Sequence, residues 1–502
     1  MKGTGMDKEK DIKKILEEDG YNVISKAMLP DRAQDQLSLH QSERARDYLN
    51  FLAKKSDREK FVAPVTPVEK IPDRKSELAT IRADEFDIPT IVGNLNWHMN
   101  RISENVIGRS EIIRQAIFAI LTGEHMLLLS RTGMAKSYLA QYIFNTFEGA
   151  RIFSSQASKD QTPDNYFGPY NIEEFKKGRI RHNIKGSIIE ANLVFLDEFF
   201  DASDVVLRSL LTVLNERKFI NGSEQIDTAV HTAIATANYM RMNEVTEAVL
   251  DRFTYKSIIP ENTNVYNQLL IDHTYSMSGG HPVEPEQKIF FNQILYLHDI
   301  IKNKNRSIRI ETPDFIYFMK NVLIDKFMSE MRKSDYNYFL SPRKIAKQGD
   351  FLRASALLNN RFQVTTDDLK EMYLCLTTLN SYISVKAKDK SEGDLYLDTF
   401  NQTMTHYKAT GAFQQIELLL NIRQVFQEIR QNPERRDAIL ARKGVLQSVL
   451  EFLKKLFPNR RPEEDQKLTI ESLKKNILDL TPAVEEVQEL KNGIMQDYRD
   501  LY

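Results

Sequence analysis

Residues 126–147 read MLLL, then SRTGMAKS, then YLAQYIFNTF: a short apolar run, a polar loop and an amphipathic segment. The first part predicts a buried strand and the last a helix, so the loop at 130–137 leads directly into a helix N-terminus. Backbone N–H groups at such a junction are a ready binding site for phosphate. The segment therefore predicts a phosphate-binding loop.

Residue types within the loop suggest how it would act. The backbone N–H groups from Gly133 to Ser137 would surround the phosphates, Lys136 would face the β and γ oxygens, and the Ser137 hydroxyl would ligate Mg²⁺. The usual pattern has glycine at its first and sixth positions, where this chain has Ser130 and Ala135. On its own the loop is equally typical of a strand followed by a capped helix, so other motifs must decide.

An acidic pair follows the apolar run LVFL at 193–196, about sixty residues beyond the loop. Asp197 and Glu198 would then lie at the carboxyl end of a buried strand, the edge of an α/β sheet where ligands bind. Asp197 would hold Mg²⁺ through its water shell, and Glu198 would act as general base toward water. The alternative is a pair of helix N-cap residues.

Three polar residues near other strand or helix ends complete the candidate site. Asn238 follows the run TAIAT at 232–236 and would position the same water; a plain turn is the alternative. Arg252 lies in LDRF, and Arg343 follows Ser341 and Pro342, which predict a helix start. Each arginine alone is typical of a solvated surface charge, but phosphoryl transfer requires cations of this kind.

The order of elements predicts the fold class. Five short apolar runs alternate with helical segments, which favours an α/β fold with a parallel sheet and helices on both faces. Past Glu261 we expect helices only. The predicted domains are an N-terminal helical segment (1–60), a linker (61–85), an α/β nucleotide-binding domain (86–261), an α-helical lid (262–385) and a C-terminal helical extension (386–502).

Composition excludes several classes of protein. The 502 residues are 41% hydrophobic and carry 69 Lys and Arg against 70 Asp and Glu, a net charge of −1, which argues against a mostly disordered chain and against bulk attraction to nucleic acid. No run of about eighteen apolar residues predicts membrane insertion, and the N-terminus is charged where a signal peptide is apolar. The single cysteine, Cys375, fits a buried core residue and a reducing compartment. We expect a cytoplasmic protein.

Taken together, residues 100 to about 380 resemble a MoxR-type AAA+ ATPase, with the closest similarity to the RavA-like branch. The motifs that carry the resemblance occur in the family's order: VIGR at 106–109, TGMAKS at 132–137, FGPYNIEEFKKGR at 167–179, VFLDE at 194–198, LLTVLNERKF at 210–219, ATAN at 235–238, LDRF at 250–253 and LSPRKIAK at 340–347.

The resemblance implies ATP and Mg²⁺ as ligands of an AAA+ core with a five-stranded parallel sheet and a helical lid. Glu198, Asn238, Arg252 and Arg343 would be catalytic: the base, the first sensor, an arginine finger reaching into a neighbouring subunit, and the second sensor on the lid. Ser137 and Asp197 would hold the metal. The nucleotide would contact Ile107, Gly108, Arg131, Thr132, Gly133, Met134, Ala135, Lys136, Ser137 and Asp197.

The implied activity is ATP hydrolysis that drives chaperone-like remodelling or maturation of partner proteins. An arginine finger in trans implies a ring, expected to be a hexamer, and the family implies a partner with a von Willebrand factor A-type domain. Ser130 and Arg131 motivate one alternative, a nucleotide-gated scaffold with weak hydrolysis. A second, less favoured alternative is an ATPase that acts on nucleic acid.

Two segments each allow two interpretations. The basic residues of the insertion, Lys176, Lys177, Arg179, Arg181, His182 and Lys185, are typical of a solvated hairpin, although in a ring they would face an acidic substrate in the pore. The apolar face at 446–457 predicts either an intramolecular helical bundle or a docking surface for a partner.

Overall fold

A computed structural model describes residues 87–178, 181–221, 224–239, 249–259, 264–279, 288–333, 338–376, 391–441 and 469–499. The predicted N-terminal helical segment, the whole predicted linker and the apolar face at 446–457 lie outside these ranges.

Five parallel strands form the central sheet, as the sequence predicts. They are β1 (Met126–Leu129), β3 (Ile152–Gln156), β4 (Leu193–Asp197), β7 (Thr232–Ala237) and β8 (Tyr255–Ile258), arranged in the order β3-β4-β7-β1-β8. Because β4, β7 and β1 are direct neighbours, their carboxyl ends meet at one edge of the sheet. This edge receives the phosphate loop, the acidic pair and Asn238.

Helices cover both faces of the sheet. Side chains alternate along β1, so Met126 and Leu128 join one apolar core while Leu127 and Leu129 join another. The first core includes helices α1 (Ile88–Asn105), α2 (Ser110–Thr122) and α3 (Lys136–Phe144); the second includes α6 (Asp204–Glu216). The predicted α/β class with helices on both faces is confirmed.

Several short elements modify this plan. An antiparallel pair is formed by β5 (Lys218–Asn221) and β6 (Glu224–Asp227). The preceding helix ends at Glu216 because Arg217 adopts a left-handed conformation, φ 56°. The expectation that strands end before 261 is wrong, since β9 (Ile289–Phe290) pairs with β2 (Phe147–Glu148). Two residues are too few to give a strand its alternating pattern. The insertion contains α4 (Asp164–Phe167) and α5 (Ile172–Lys176).

Eleven further helices occur in the described ranges from residue 264 onward. They are α7 (Val265–Ser278), α8 (Phe291–Ile301), α9 (Asp314–Arg332), α10 (Pro342–Leu358), α11 (Thr366–Lys370), α12 (Tyr373–Leu376), α13 (Glu392–Thr410), α14 (Ala412–Gln431), α15 (Arg436–Leu440), α16 (Ile470–Asp479) and α17 (Glu485–Asp497), with 3₁₀ turns at Phe199–Asp201 and Pro433–Arg435. None of the helices in the described ranges is both long and apolar enough to cross a bilayer.

The C-terminal helices pack against the lid helices through a shared apolar core. The Tyr396 hydroxyl of α13 donates to the Leu369 carbonyl at 2.6 Å, and the Tyr396 ring lies 5.6 Å from that of Phe327 on α9. Cys375 is buried in α12, as predicted, and its burial raises the pKa of the thiol. Within the described ranges, the C-terminal extension is thus anchored on the lid through α13.

One buried amine in this interior predicts a measurable effect on stability. Lys256 of β8 is 1% exposed and lies beside the amine of Lys344 on α10; burial and this neighbour lower the pKa of Lys256 well below its usual value. An unfolded chain keeps the proton to a higher pH, so stability rises with pH between the lowered pKa and about 10.4. Because Lys256→Met removes the buried amine at similar volume, we expect a higher melting temperature at pH 7.

Calorimetry at a series of pH values from 7 to 10 checks this expectation. The advantage of Lys256→Met should shrink as the pH rises, since the parent chain then regains stability. Lys159→Met, at an exposed position, serves as the matched control and should follow the parent at every pH. A melting temperature for Lys256→Met below that of the parent at pH 7 would contradict the prediction.

Candidate functional site

The predicted phosphate loop lies between β1 and α3. Gly133 and Ala135 both have positive φ, 82° and 57°, so Ala135 adopts the left-handed conformation for which glycine is usually required at this position. Ala135 offers no side-chain cap, which leaves the first amide N–H groups of α3 available to an anion. Local backbone geometry is thus that of a phosphate loop despite the departure from glycine.

Lys136, the first residue of α3, points back across this loop. Its ammonium donates to the carbonyls of Ser130 at 3.1 Å and Arg131 at 3.4 Å, and the residue is 7% exposed. Burial lowers the pKa of Lys136, while Asp197 and Glu198 oppose that shift. The cation is therefore fixed inside the loop and lies close to two carboxylates.

Asp197, the last residue of β4, accepts hydrogen bonds from the first turn of α3 and from β7. The Ser137 hydroxyl donates to Asp197 Oδ2 at 2.8 Å, and the Thr236 hydroxyl of β7 donates to Asp197 Oδ1. A hydroxyl and a carboxylate that face each other are hard oxygen donors of the kind Mg²⁺ prefers. The residues fit the predicted magnesium site.

Glu198 is held by two side-chain amides from neighbouring strands. Asn238 donates to Glu198 Oε1 at 3.1 Å and Gln156, the last residue of β3, donates to Glu198 Oε2 at 2.9 Å. The Asn238 carbonyl oxygen in turn accepts from Lys136. Lys136, Asn238 and Glu198 thus form one hydrogen-bonded chain at the carboxyl edge of the sheet.

Gln156 is a residue of the site that the sequence patterns did not predict. A polar residue at the end of a strand is a signal that the sequence does contain. That Gln156 reaches Glu198, however, depends on β3 lying next to β4, and the sequence does not show the order of strands in the sheet. The two amide donors fix the orientation of the Glu198 carboxylate between the ends of β3 and β7.

The two predicted arginines lie elsewhere. Arg252 pairs with Asp251 at 3.2 Å, Arg343 donates to Asn215 Oδ1 at 2.9 Å, and both line one cavity of about 620 Å³. The same cavity is lined by residues that directly precede strands β1, β4 and β7, namely Glu124, His125, Asn192 and His231. It therefore opens at the amino edge of the sheet.

The structure thus divides the predicted site between two edges. Four strand residues at about 3.3 Å each separate them, so the arginines lie more than about 10 Å from the phosphate loop of the same chain. The helix start predicted at Arg343 is present, with Ser341 as N-cap and Pro342 in the first turn of α10.

The other residues that are predicted to contact the nucleotide lie in two places. Ile107 and Gly108 form the turn between α1 and α2, where Ile107 is half-buried and Gly108 has φ 71°. In the loop, Arg131 and Thr132 are exposed, whereas Met134 packs on the core beside α3. Their contact with nucleotide stays a prediction.

Comparison with known proteins finds two family models that match parts of this region. The family model described as the MoxR domain in the MoxR-vWA-beta-propeller ternary systems matches residues 93–298, and one described as an AAA lid domain matches residues 314–381. Two uncharacterised proteins of Methanocaldococcus jannaschii are similar, at 24% identity over 284 residues (56% of this chain, 69% of the relative) and 26% over 264 residues (52% and 65%).

Two further similarities are more distant. A structural protein of the Acidianus two-tailed virus is 23% identical over 290 residues, 54% of this chain and 47% of that protein. The crystal structure of a Cytophaga hutchinsonii protein assigned as an ATPase aligns with a TM-score of 0.49 at 19% identity, over 64% of this chain and 96% of that one. This chain spans about two thirds of the archaeal relatives and about half of the viral one.

The two family models cover the phosphate loop, the acidic pair, Asn238 and both arginines in a continuous order. Residues 93–298 thus match a MoxR domain and residues 314–381 match an AAA lid, so this region is similar to a MoxR-type AAA+ ATPase.

Proposed function

We propose that this chain binds and hydrolyses ATP with Mg²⁺ and uses the cycle to remodel partner proteins. The observation that carries the proposal is the hydrogen-bonded chain from Lys136 through Asn238 to Glu198, beside the Ser137–Asp197 pair. A phosphate cradle, oxygen ligands for a metal and an oriented carboxylate are the parts that ATP hydrolysis requires.

Each residue would have a separate task. The amides of residues 133–137 would bind the phosphates, and Lys136 would neutralise charge on them. Mg²⁺, held by Ser137 and by Asp197, would withdraw charge from the phosphate oxygens. Glu198 would accept a proton from the attacking water, and Asn238 would keep that carboxylate in position.

The separation of the two arginines from the phosphate loop supports a site shared between subunits. A chain that places its own arginines at the opposite edge needs those of a neighbour to neutralise the γ-phosphoryl group. Head-to-tail contacts of this kind close into a ring, for which the family resemblance suggests six subunits. Arg252 would be the finger, and Arg343 would also act in trans.

Partner and location follow from resemblance. The matching family model describes MoxR domains of systems that include a vWA protein, which supports a partner with a von Willebrand factor A-type domain. Membership of the RavA-like branch stays a prediction, as does a cytoplasmic location. Nucleic acid is disfavoured as a substrate by the net charge of −1.

Removal of the loop ammonium provides the test of nucleotide binding. Hydrogen bonds to charged groups contribute about 1.5–3 kcal/mol, so Lys136→Met should weaken Mg-ATP binding by about ten- to a hundredfold. Titration with a fluorescent ATP analogue measures this, with Lys159→Met as the exposed control. Equal affinity in Lys136→Met and the parent would refute the phosphate loop. Tight binding by the parent with negligible turnover would instead favour the nucleotide-gated scaffold.

A further inference from the structure

We infer that Glu124 is a positioning residue that holds Arg252 and Arg343 together for action on a neighbouring subunit. The inference rests on the proposed function and adds a residue to it. Glu124 lies between α2 and β1, and its side chain reaches the cavity lined by both arginines.

The Glu124 carboxylate binds one group from each arginine-bearing segment. Its Oε2 accepts from Lys347 Nζ at 2.6 Å and from Thr254 Oγ1 at 2.9 Å, and those two donors lie 3.4 Å apart. Thr254 is two residues beyond Arg252 in the chain. Lys347 is four residues beyond Arg343 on α10, about one helical turn away and on the same face. One carboxylate thus connects both segments.

A second layer of charge supports this carboxylate. Lys302 at the end of α8 lies 3.7 Å from Glu124 Oε1 and also pairs with Asp350 of α10, which in turn pairs with Arg353. Burial raises the pKa of Glu124, but Lys347, Lys302 and Arg217 outweigh burial, so the net pKa is lowered. Glu124 is therefore a buried anion among cations, and its neutralisation leaves Lys347 uncompensated.

A competing role has to be separated from this one. Glu124 also precedes β1, and that strand ends at Leu129, directly before Ser130 of the phosphate loop in the same subunit. A defect in a Glu124 variant could therefore arise at its own phosphate loop or at the arginines that it offers to a neighbour. These two roles act at different interfaces of a ring, so mixtures of variants distinguish them.

The experiment uses full-length chains that carry Glu124→Gln, Lys136→Met or Arg252→Ala, each with a different tag, co-expressed in pairs and purified as mixed assemblies. Glu124→Gln alone should lower ATP turnover by about tenfold or more and leave ATP affinity unchanged. Mixed with Lys136→Met it should regain activity, since about one interface in four then joins an intact loop to intact arginines. Mixed with Arg252→Ala it should gain nothing.

The outcomes distinguish the positioning role of Glu124 from the sharing of a site between subunits. Recovery for Arg252→Ala with Lys136→Met, but not for Glu124→Gln with Lys136→Met, would overturn the positioning role and leave the shared site intact. Recovery in neither mixture would overturn the shared site and the inference with it. If Glu124→Gln fails to fold, Thr254→Val removes only one of the donors and enters the same mixtures. It should give the same pattern with a smaller loss; recovery when mixed with Arg252→Ala would contradict the inference.

Discussion

Glu198→Gln is expected to reduce ATP turnover by about 10²–10⁴-fold, because an amide cannot accept the proton of the attacking water. The variant keeps the size of the side chain and an oxygen that can accept from Asn238, so the loop and the Ser137–Asp197 pair should be unaffected. We therefore expect ATP affinity within about twofold of the parent, and nucleotide that stays bound as ATP. Steady-state turnover and analysis of the bound nucleotide after purification measure the two effects.

The matched control for this variant is Glu104→Gln, on the exposed face of α1, where the carboxylate pairs with Arg101 at 3.3 Å. It should turn over ATP at the parent rate, since an exposed pair contributes little. Retained turnover in Glu198→Gln would remove Glu198 from the role of base. Loss of ATP binding together with turnover would show instead that the carboxylate supports the loop.

The carboxyl edge of the sheet could be predicted from the sequence because its parts are local. MLLL, LVFL and TAIAT are apolar runs that end next to polar residues, and parallel strands bring such ends together. The 2.8 Å hydrogen bond from Ser137 to Asp197 agrees with that rule, together with the loop that leads from β1 into α3. Ala135 does not disturb this arrangement, since its left-handed backbone, φ 57°, supplies the turn that glycine usually makes.

The amino edge could not be predicted in the same way. Arg252 precedes β8 and Arg343 begins a helix about ninety residues later, so their common cavity depends on how α10 packs against α2 and the sheet. The role of a buried charge such as Glu124 cannot be predicted from hydrophobic periodicity. It depends on its hydrogen-bond partners Lys347 and Thr254, which are more than a hundred residues away in the chain. The sequence predicted both arginines, and the resemblance implied that Arg252 acts on a neighbouring subunit, but neither placed Arg343 at the same edge of the sheet.

Because Arg252 lies far from the phosphate loop of its own chain, Arg252→Ala should lower turnover without weakening ATP binding, unlike a variant of the loop. Arginine fingers contribute about 10³–10⁵-fold to turnover, so the variant should lose at least about a thousandfold in kcat. Its ATP affinity should stay at the parent value, because Arg252 lies at the opposite edge of the sheet from the loop of its own subunit. Arg208→Ala, exposed on α6, is the matched control and should retain turnover.

Mixing and dilution test whether the missing arginine comes from a neighbour. Co-expressed with Lys136→Met, Arg252→Ala should regain about a quarter of the parent turnover, since only interfaces with an intact loop and an intact arginine are active. Turnover per subunit of the parent should also fall on dilution, as the contacts that join loop and arginine dissociate. Constant specific activity down to concentrations at which only single chains remain would mean that each chain completes its own site. Arg252 would then have no place in the reaction, because within one chain the length of β1 separates it from the phosphates.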